Sequence, residues 1–173
     1  DLVQIIGDLR KHYAIRRLIL SGGSMGATSA LTFTALHPDL VDGVVALNGH
    51  ANHLEYGNFQ EAIQIAFGGT KEAVPEEYRK RSAEFFPDRF TMPIAITAGG
   101  KDTAVPPESA MRLGRAIQKL NPAVYLDFQQ TRGHETDYDA ALSAYAFVMR
   151  ALTSKPVRVS VAINGRILLP APG

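Results

Sequence analysis

The stretch Leu18-Ile19-Leu20-Ser21-Gly22-Gly23-Ser24-Met25-Gly26 decides how this chain is read. An apolar run leads into Gly-x-Ser-x-Gly, and the residues that follow suit a helix. That pattern between a strand and a helix is the signature of a nucleophile elbow, a strained turn that pushes the serine hydroxyl out at the end of a sheet. Gly22 and Gly26 have a steric reason. Strand and helix are expected to pass so closely that a Cβ on either would clash, and glycine also tolerates unusual dihedrals. A glycine-rich turn at a helix N-terminus is also how phosphate is bound. The lysine of a Walker-type loop is absent here, so the rest of the chain must decide between the two.

Working outward, strands and helices alternate. Residues 1–13 carry Leu2, Ile5, Ile6, Leu9 and Tyr13 on one helical face. Arg16 to Ser21 reads as a short strand into the turn, and residues 25–36, ending at His37-Pro38, as a helix buried against a sheet. Val41 to Leu47 is the next strand. Pro93 to Ala98 is a strand ending in Gly99-Gly100, followed by a helix over 107–120 with Ala110, Leu113, Ile117 and Leu120 on one face. Val124 to Phe128 is a further strand, 131–135 a loop, and 136–152 a helix. This alternation implies a parallel sheet with right-handed crossovers.

Two segments break the alternation. In residues 49–90, Phe59, Ala62, Ile63, Ala66 and Phe67 make a helical stripe stopped by Gly68-Gly69, and Pro75 opens a second helix with Glu76 and Glu77 in its first turn. A helical insertion between strands is the usual place for a cap. The stripe, with Leu54 and Tyr56, is read either as cap packing or as an apolar acyl pocket. At the other end, residues 153–173 read as an extension in which apolar runs flank Asn164-Gly165, the strongest short hairpin signal.

A serine hydroxyl is a poor nucleophile until a base takes its proton, and a carboxylate best orients that base. Asp102 lies just past the strand ending at Gly99-Gly100, and His134 just past the strand ending near Gln129. In a parallel sheet the carboxyl ends of all strands share one edge, so Ser24, Asp102 and His134 are expected to converge there. Rival carboxylates are weaker: Asp127 lies mid-strand and Glu55 in the insertion. His12 and His37 read as surface or structural residues. His50 and His53 follow a strand's carboxyl end, so with Phe59 they are candidate substrate contacts. As a metal pair they lack a helix and a third ligand.

The segments around these residues, GGSMG, AGGKDTAVPP and RGHE, resemble an α/β-hydrolase serine hydrolase. The resemblance covers residues 1 to about 150 and is to the C-terminal half of the catalytic domain of prolyl-oligopeptidase-like and dienelactone-hydrolase-like esterases. It implies an α/β-hydrolase fold, a mostly parallel sheet with helices on both faces, a helical cap insertion and missing N-terminal strands. It also implies Ser24 as nucleophile, His134 as general base and acid, Asp102 as its orienting carboxylate, and the Met25 N–H as one oxyanion donor. The expected reaction is hydrolysis of a carboxylic ester through an acyl-enzyme, with no cofactor and no metal. A prolyl-oligopeptidase-like peptidase, an acyltransferase and a non-catalytic binding protein are the alternatives.

Composition narrows partners. A net charge of +1, from 18 basic and 17 acidic residues, offers no argument for nucleic acid or an anionic membrane. The cluster Arg79-Lys80-Arg81 reads as a solvated helix face. No apolar run nears the ~20 residues that span a bilayer. With no cysteine, disulfides and thiolate chemistry are excluded. The expected partner is a small ester or short peptide, and the sequence assigns neither compartment nor oligomeric state. Only residues 1–23 precede Ser24, with no His-Gly-Gly segment for a second oxyanion donor. The expectation is therefore that these 173 residues alone are nearly inactive. An ester-turnover assay checks it, and rapid hydrolysis by the isolated chain would refute it.

Overall fold

A computed structural model describes residues 2–153 together with the backbone of 160–163 and 166–168. In chain order the main elements are α1 (Leu2–His12), β1 (Ile19–Gly23), α2 (Met25–Leu36), β2 (Gly43–Leu47), α3 (Gln60–Phe67), α4 (Pro75–Arg81), β3 (Ile94–Gly99), α5 (Glu108–Gln118), β4 (Val124–Gln129), α6 (Tyr138–Thr153), β5 (Ser160–Ile163) and β6 (Arg166–Leu168). The strands form one sheet in the order β1-β2-β3-β4-β5-β6. Strands β1 to β5 run parallel, and β6 runs antiparallel to β5. The Asn164-Gly165 turn of the expected hairpin lies outside the described residues, but β5 itself continues the parallel sheet beyond β4.

Alternation of side chains divides the core into two layers. On one face Val44, Ala46, Ile94, Ile96, Val124 and Leu126 pack with Leu31 of α2 and Leu113 and Ile117 of α5. On the other, Val45, Ala95 and Tyr125 meet Ala144 and Val148 of α6. With helices covering both faces, the central strands β2, β3 and β4 are almost wholly buried, as the apolar runs Val44–Leu47 and Ile94–Ile96 require. The burial takes in the polar Thr97, Asp127 and Gln129 as well. Each fully buried Ile, Leu or Val contributes roughly 1.5–3 kcal/mol of transfer free energy.

Several local expectations shift. β1 starts at Ile19 rather than Arg16, because Asp42 caps its entry: the Leu18 N–H donates to Asp42 Oδ2 at 2.8 Å, and Arg17 pairs with Asp42 at 3.0 Å. Of the stripe expected on α1, only Ile6 is buried. Ile5 and Tyr13 remain 53% and 65% exposed, and among the described residues that face has little to cover. The Arg79-Lys80-Arg81 run is not a simple solvated face. Arg79 lies over the Phe85 ring, and Arg81 is half-buried over the Phe67 ring while also paired with Glu77. A cation above a ring face is held by the ring quadrupole as well as by its counter-ion.

Between β2 and β3 the chain is fastened by side chains rather than by a ladder. The Ala51 N–H donates to Ser109 Oγ of α5 at 2.9 Å, and the His53 N–H to Ser82 Oγ at 2.8 Å. Asn52 donates to Glu84, whose carboxylate also holds Arg112 of α5. Lys71 donates to the carbonyls of Leu54 and Tyr56 at 2.9 and 2.6 Å. Inside this web His50 stacks on Tyr56 at 4.0 Å between centroids, and His53 meets Phe67 edge-on at 5.0 Å.

Burial holds both imidazoles neutral. It pushes the His50 pKa down to about 4, with the Lys71 charge adding against a raising contact to the Asn52 backbone. It pushes His53 down to about 3, with His50, Arg81 and Lys71 adding. In the unfolded chain both rings take protons near pH 6.5. The stability these two rings contribute is therefore fully present above that pH and is lost as pH falls from 6.5 toward 4 for His50 and toward 3 for His53. A shift of this size is on the order of 3 kcal/mol per ring. Urea midpoints at pH 7 and pH 5 should differ clearly, and His53→Phe should shrink the difference. An unchanged pH slope in the variant would contradict the assignment.

Candidate functional site

The site begins at the turn between β1 and α2. Ser24 has φ 55 and ψ −120, a conformation that a non-glycine residue adopts only under strain. Such strain costs about 1–3 kcal/mol and persists where the surroundings over-determine it. Two contacts do so here. The Ser24 N–H donates to the Leu47 carbonyl at 2.8 Å, continuing the β1–β2 ladder past the last paired residue. At Gly22 a Cβ would lie 2.3 Å from the backbone carbon of Gly26, so strand and helix touch main chain to main chain. The expectation for Gly26 is corrected: a Cβ there meets nothing within 4 Å. The close approach is carried by Gly22 alone, because the Gly26 Cα hydrogens point away from the strand.

Asp102 follows β3. Its side chain is 1% exposed and its oxygens divide their tasks. Oδ1 accepts the N–H groups of Ala104 and Val105 at 3.0 and 2.8 Å, which fixes the carboxylate plane. Oδ2 faces His134 Nδ1 at 2.6 Å. A carboxylate can only accept, so the ring proton lies on Nδ1, and Nε2 is left to accept from the Ser24 hydroxyl at 2.8 Å. Three residues far apart in sequence thus form one hydrogen-bonded line at the carboxyl edge of the sheet. The imidazole is 34% exposed, which leaves the Ser24 end open to a ligand.

The loop that carries His134 is held against the acid's strand. The Lys101 N–H donates to the Arg132 carbonyl at 2.8 Å, and Arg132 bridges Glu135 and Asp137 at 3.2 and 3.0 Å. Gly99 is another position that glycine alone fits, since a Cβ there would lie 2.1 Å from the Gly133 carbonyl oxygen. That contact sets how near His134 can come to Asp102.

The remaining expected residues divide. Met25 is the first residue of α2, whose first-turn amides have no intrahelical acceptor, and its side chain is 80% exposed. Phe59 stands beside the acid's loop with φ 54 and its ring 71% exposed. His50 and His53 are buried against Tyr56 and Phe67, so their rings face the packing of the 49–90 segment rather than solvent. The rival carboxylates are engaged elsewhere: Glu55 pairs with Arg112, and Asp127 accepts from Gln129 Nε2 at 3.0 Å. Sequence reasoning missed Asn58, and read Tyr56 only as part of the apolar stripe rather than as a partner of the Asp102 loop. The Tyr56 hydroxyl donates to the Ala104 carbonyl at 2.9 Å, and Asn58 Nδ2 reaches the carbonyls of Thr103 and Ala104 at 3.1 and 2.9 Å. No local signal marks them, because both act on a loop that meets them only in the folded chain.

An open cleft of about 430 Å³ lies beside the His134 loop, lined by Tyr125, Gln129, Thr131, Arg132, Asp137 and Ser143 among others. Ser24 does not line it, so it is not the acyl site. Among the described residues, no group of three or more His, Asp or Glu side chains is arranged to hold a metal ion. Nor is any helix among them long and apolar enough to cross a membrane. Chemically, the line from Ser24 to Asp102 can withdraw a proton from a hydroxyl and steady the resulting imidazolium.

Comparison with known proteins agrees with this architecture. The model of the prolyl oligopeptidase family matches residues 1–155. Over 65 residues, 37% of this chain and 20% of the relative, the sequence is 42% identical to the alpha/beta hydrolase domain-containing protein VTE7 of Arabidopsis thaliana. Puromycin hydrolase superposes with a TM-score of 0.69 at 25% identity, covering 91% of this chain and 25% of that one. The acylaminoacyl peptidase of Pyrococcus horikoshii superposes with a TM-score of 0.64 at 18% identity, covering 87% of this chain and 26% of that one. The chain spans about a quarter or less of the length of these relatives. With its parallel sheet, strained serine turn and matched family model, the chain belongs to the prolyl oligopeptidase family and has the α/β-hydrolase fold of the serine hydrolases.

Proposed function

We propose that the protein cleaves carboxylic esters through an acyl-enzyme, with Ser24, His134 and Asp102 as its catalytic residues. The observation that carries this reading is the line of contacts from Ser24 Oγ to His134 Nε2 at 2.8 Å and from His134 Nδ1 to Asp102 Oδ2 at 2.6 Å. Ser24 Oγ attacks the carbonyl carbon while its proton passes to Nε2. The carbonyl oxygen becomes an oxyanion, and the Met25 N–H at the α2 terminus donates to it. Collapse of the tetrahedral intermediate breaks the bond to the alkoxy group, which leaves as an alcohol after taking the proton from the imidazolium. Water then attacks the acyl-enzyme, giving its proton to Nε2, and the acid product leaves as Ser24 recovers its hydrogen. Asp102 stays ionised throughout and stabilises the imidazolium.

Phe59, an exposed ring at the edge of the acid's loop, is the proposed substrate contact. His50 and His53 support it indirectly, through the packing of Tyr56 and the 49–90 segment. A second reading, hydrolysis of a short peptide or amide by the same steps, is favoured by membership of the prolyl oligopeptidase family.

Steady-state kinetics on matched ester and peptide substrates test both. Ser24→Ala should lower kcat by at least about a thousandfold, and Asp102→Asn by a comparable factor, with KM little changed. A peptide turned over faster than its matched ester would select the second reading. Absence of both turnover and fluorophosphonate labelling of Ser24, or a Ser24→Ala variant at wild-type rate, would contradict the proposal.

A further inference from the structure

The turn at Ser24 and the loop at His134 are separate pieces of chain, yet their side chains must stay within hydrogen-bond reach. Three polar residues that the mechanism does not use run between them. β2 ends at Leu47, whose carbonyl holds the Ser24 N–H at 2.8 Å. The next residue, Asn48, is 6% exposed and has φ 53, in the left-handed region that asparagine tolerates better than most side chains. Its N–H donates to the Thr97 carbonyl at 3.0 Å. Its side-chain Oδ1 lies 3.4 Å from the Thr97 hydroxyl, and that hydroxyl lies 3.1 Å from the hydroxyl of Thr136, two residues beyond His134. Thr97 is 1% exposed and sits on the α6 face of the sheet, where the strand positions before it carry Ala95 and Val45.

The order of protons follows from the inventory of donors. The Asn48 Oδ1 can only accept, so the Thr97 hydroxyl spends its single proton there. It must then accept at its oxygen, and the Thr136 hydroxyl donates to it. We propose that Asn48, Thr97 and Thr136 are positioning residues, a directional relay that sets the His134 loop against the Ser24 turn. The relay rests on the reading of Ser24 and His134 as the working pair. Its two ends are fixed differently. At the Asn48 end the backbone is part of the sheet, one residue from the carbonyl that holds Ser24. At the Thr136 end the backbone is a loop, joined to the sheet here by a single hydroxyl. Glycine would satisfy the same φ without strain, so the strain at this buried asparagine is offset by what its side chain meets.

The loop's other restraints named above, the Lys101 N–H bond to the Arg132 carbonyl, Gly99 against Gly133 and the Arg132 ion pairs, act before His134 or on the exposed side. The relay is the restraint on its buried side, downstream of the imidazole. Loss of it is expected to let Nε2 wander from the Ser24 hydroxyl without unfolding the sheet. Displacements well under an ångström in such a pair slow the chemical step while substrate binding is unaffected.

The test uses four forms of the protein: wild type, Thr136→Val, Thr136→Ser and Asn48→Gly. Thr136→Val keeps the shape and removes the donor, and Thr136→Ser keeps the donor. Asn48→Gly removes the final acceptor while relieving the positive φ. The relay predicts that Thr136→Val lowers kcat by about tenfold with KM within about twofold, and that Thr136→Ser restores most of that loss. Asn48→Gly is predicted to lower kcat comparably while its melting temperature holds or rises. Wild-type kcat in Thr136→Val and Asn48→Gly would overturn the relay, as would a Thr136→Ser variant no better than Thr136→Val or a kcat loss that follows a loss of folded protein. A wild-type protein with neither turnover nor fluorophosphonate labelling would instead overturn the serine-hydrolase reading, and the relay with it.

Discussion

The hydrogen bond from the Ser24 N–H to the Leu47 carbonyl, at 2.8 Å, is the contact on which the site's geometry depends. It extends the β1–β2 ladder one residue past Gly23 and forces the chain to turn into α2 at a strained serine. The turn closes only because Gly22 has no Cβ to meet the Gly26 backbone. A hydroxyl held in this way projects from the sheet's carboxyl edge whatever the rest of the chain does. The strain is stored at the proposed nucleophile and is offset by the packing of α2 against Val44 and Ala46.

From that point the parallel register brings in the other participants. Gly23, Leu47, Thr97 and Asp127 are successive partners across the sheet, so the loops after β1, β2, β3 and β4 leave it along one line. Asp102, His134 and Asn48 belong to three of those loops, and side-chain hydrogen bonds fix the intervals between them. The carboxylate of Asp102 anchors its own loop through the Ala104 and Val105 amides, and Tyr56 and Asn58 hold the same loop from the 49–90 segment. That segment is in turn bonded to α5 through Ser109 and Arg112. The order of dependence runs from buried sheet to strand ends, then to loops, and only then to the three side chains of the proposed triad.

Much of this was legible in the sequence, for identifiable reasons. Ser24, Asp102 and His134 each follow an apolar run with strand character, and a parallel sheet brings such positions to one edge. The alternation of elements gave the layers for the same reason. What stayed hidden depends on contacts between distant residues. A Cβ added at Gly26 would point into open space although its motif position matches that of Gly22. His50 and His53 look poised for a ligand in sequence, but the aromatic rings of Tyr56 and Phe67 bury them. Arg81 reads as a surface charge until the Phe67 ring is found beneath it. The apolar stripe of α1 is plainly helical in sequence, yet the pattern cannot say how much of it is covered. Asn48 follows β2, and nothing local ties it to Thr97.

The central claim is that Ser24 is an activated nucleophile because His134 and Asp102 converge on it. Peptide mapping by mass spectrometry after reaction with a fluorophosphonate tests it most directly. The account predicts a single adduct, on the peptide containing Ser24, whose rate of formation collapses in His134→Ala although the variant remains folded. An adduct on a different serine, or labelling of Ser24 that persists undiminished without His134, would contradict it.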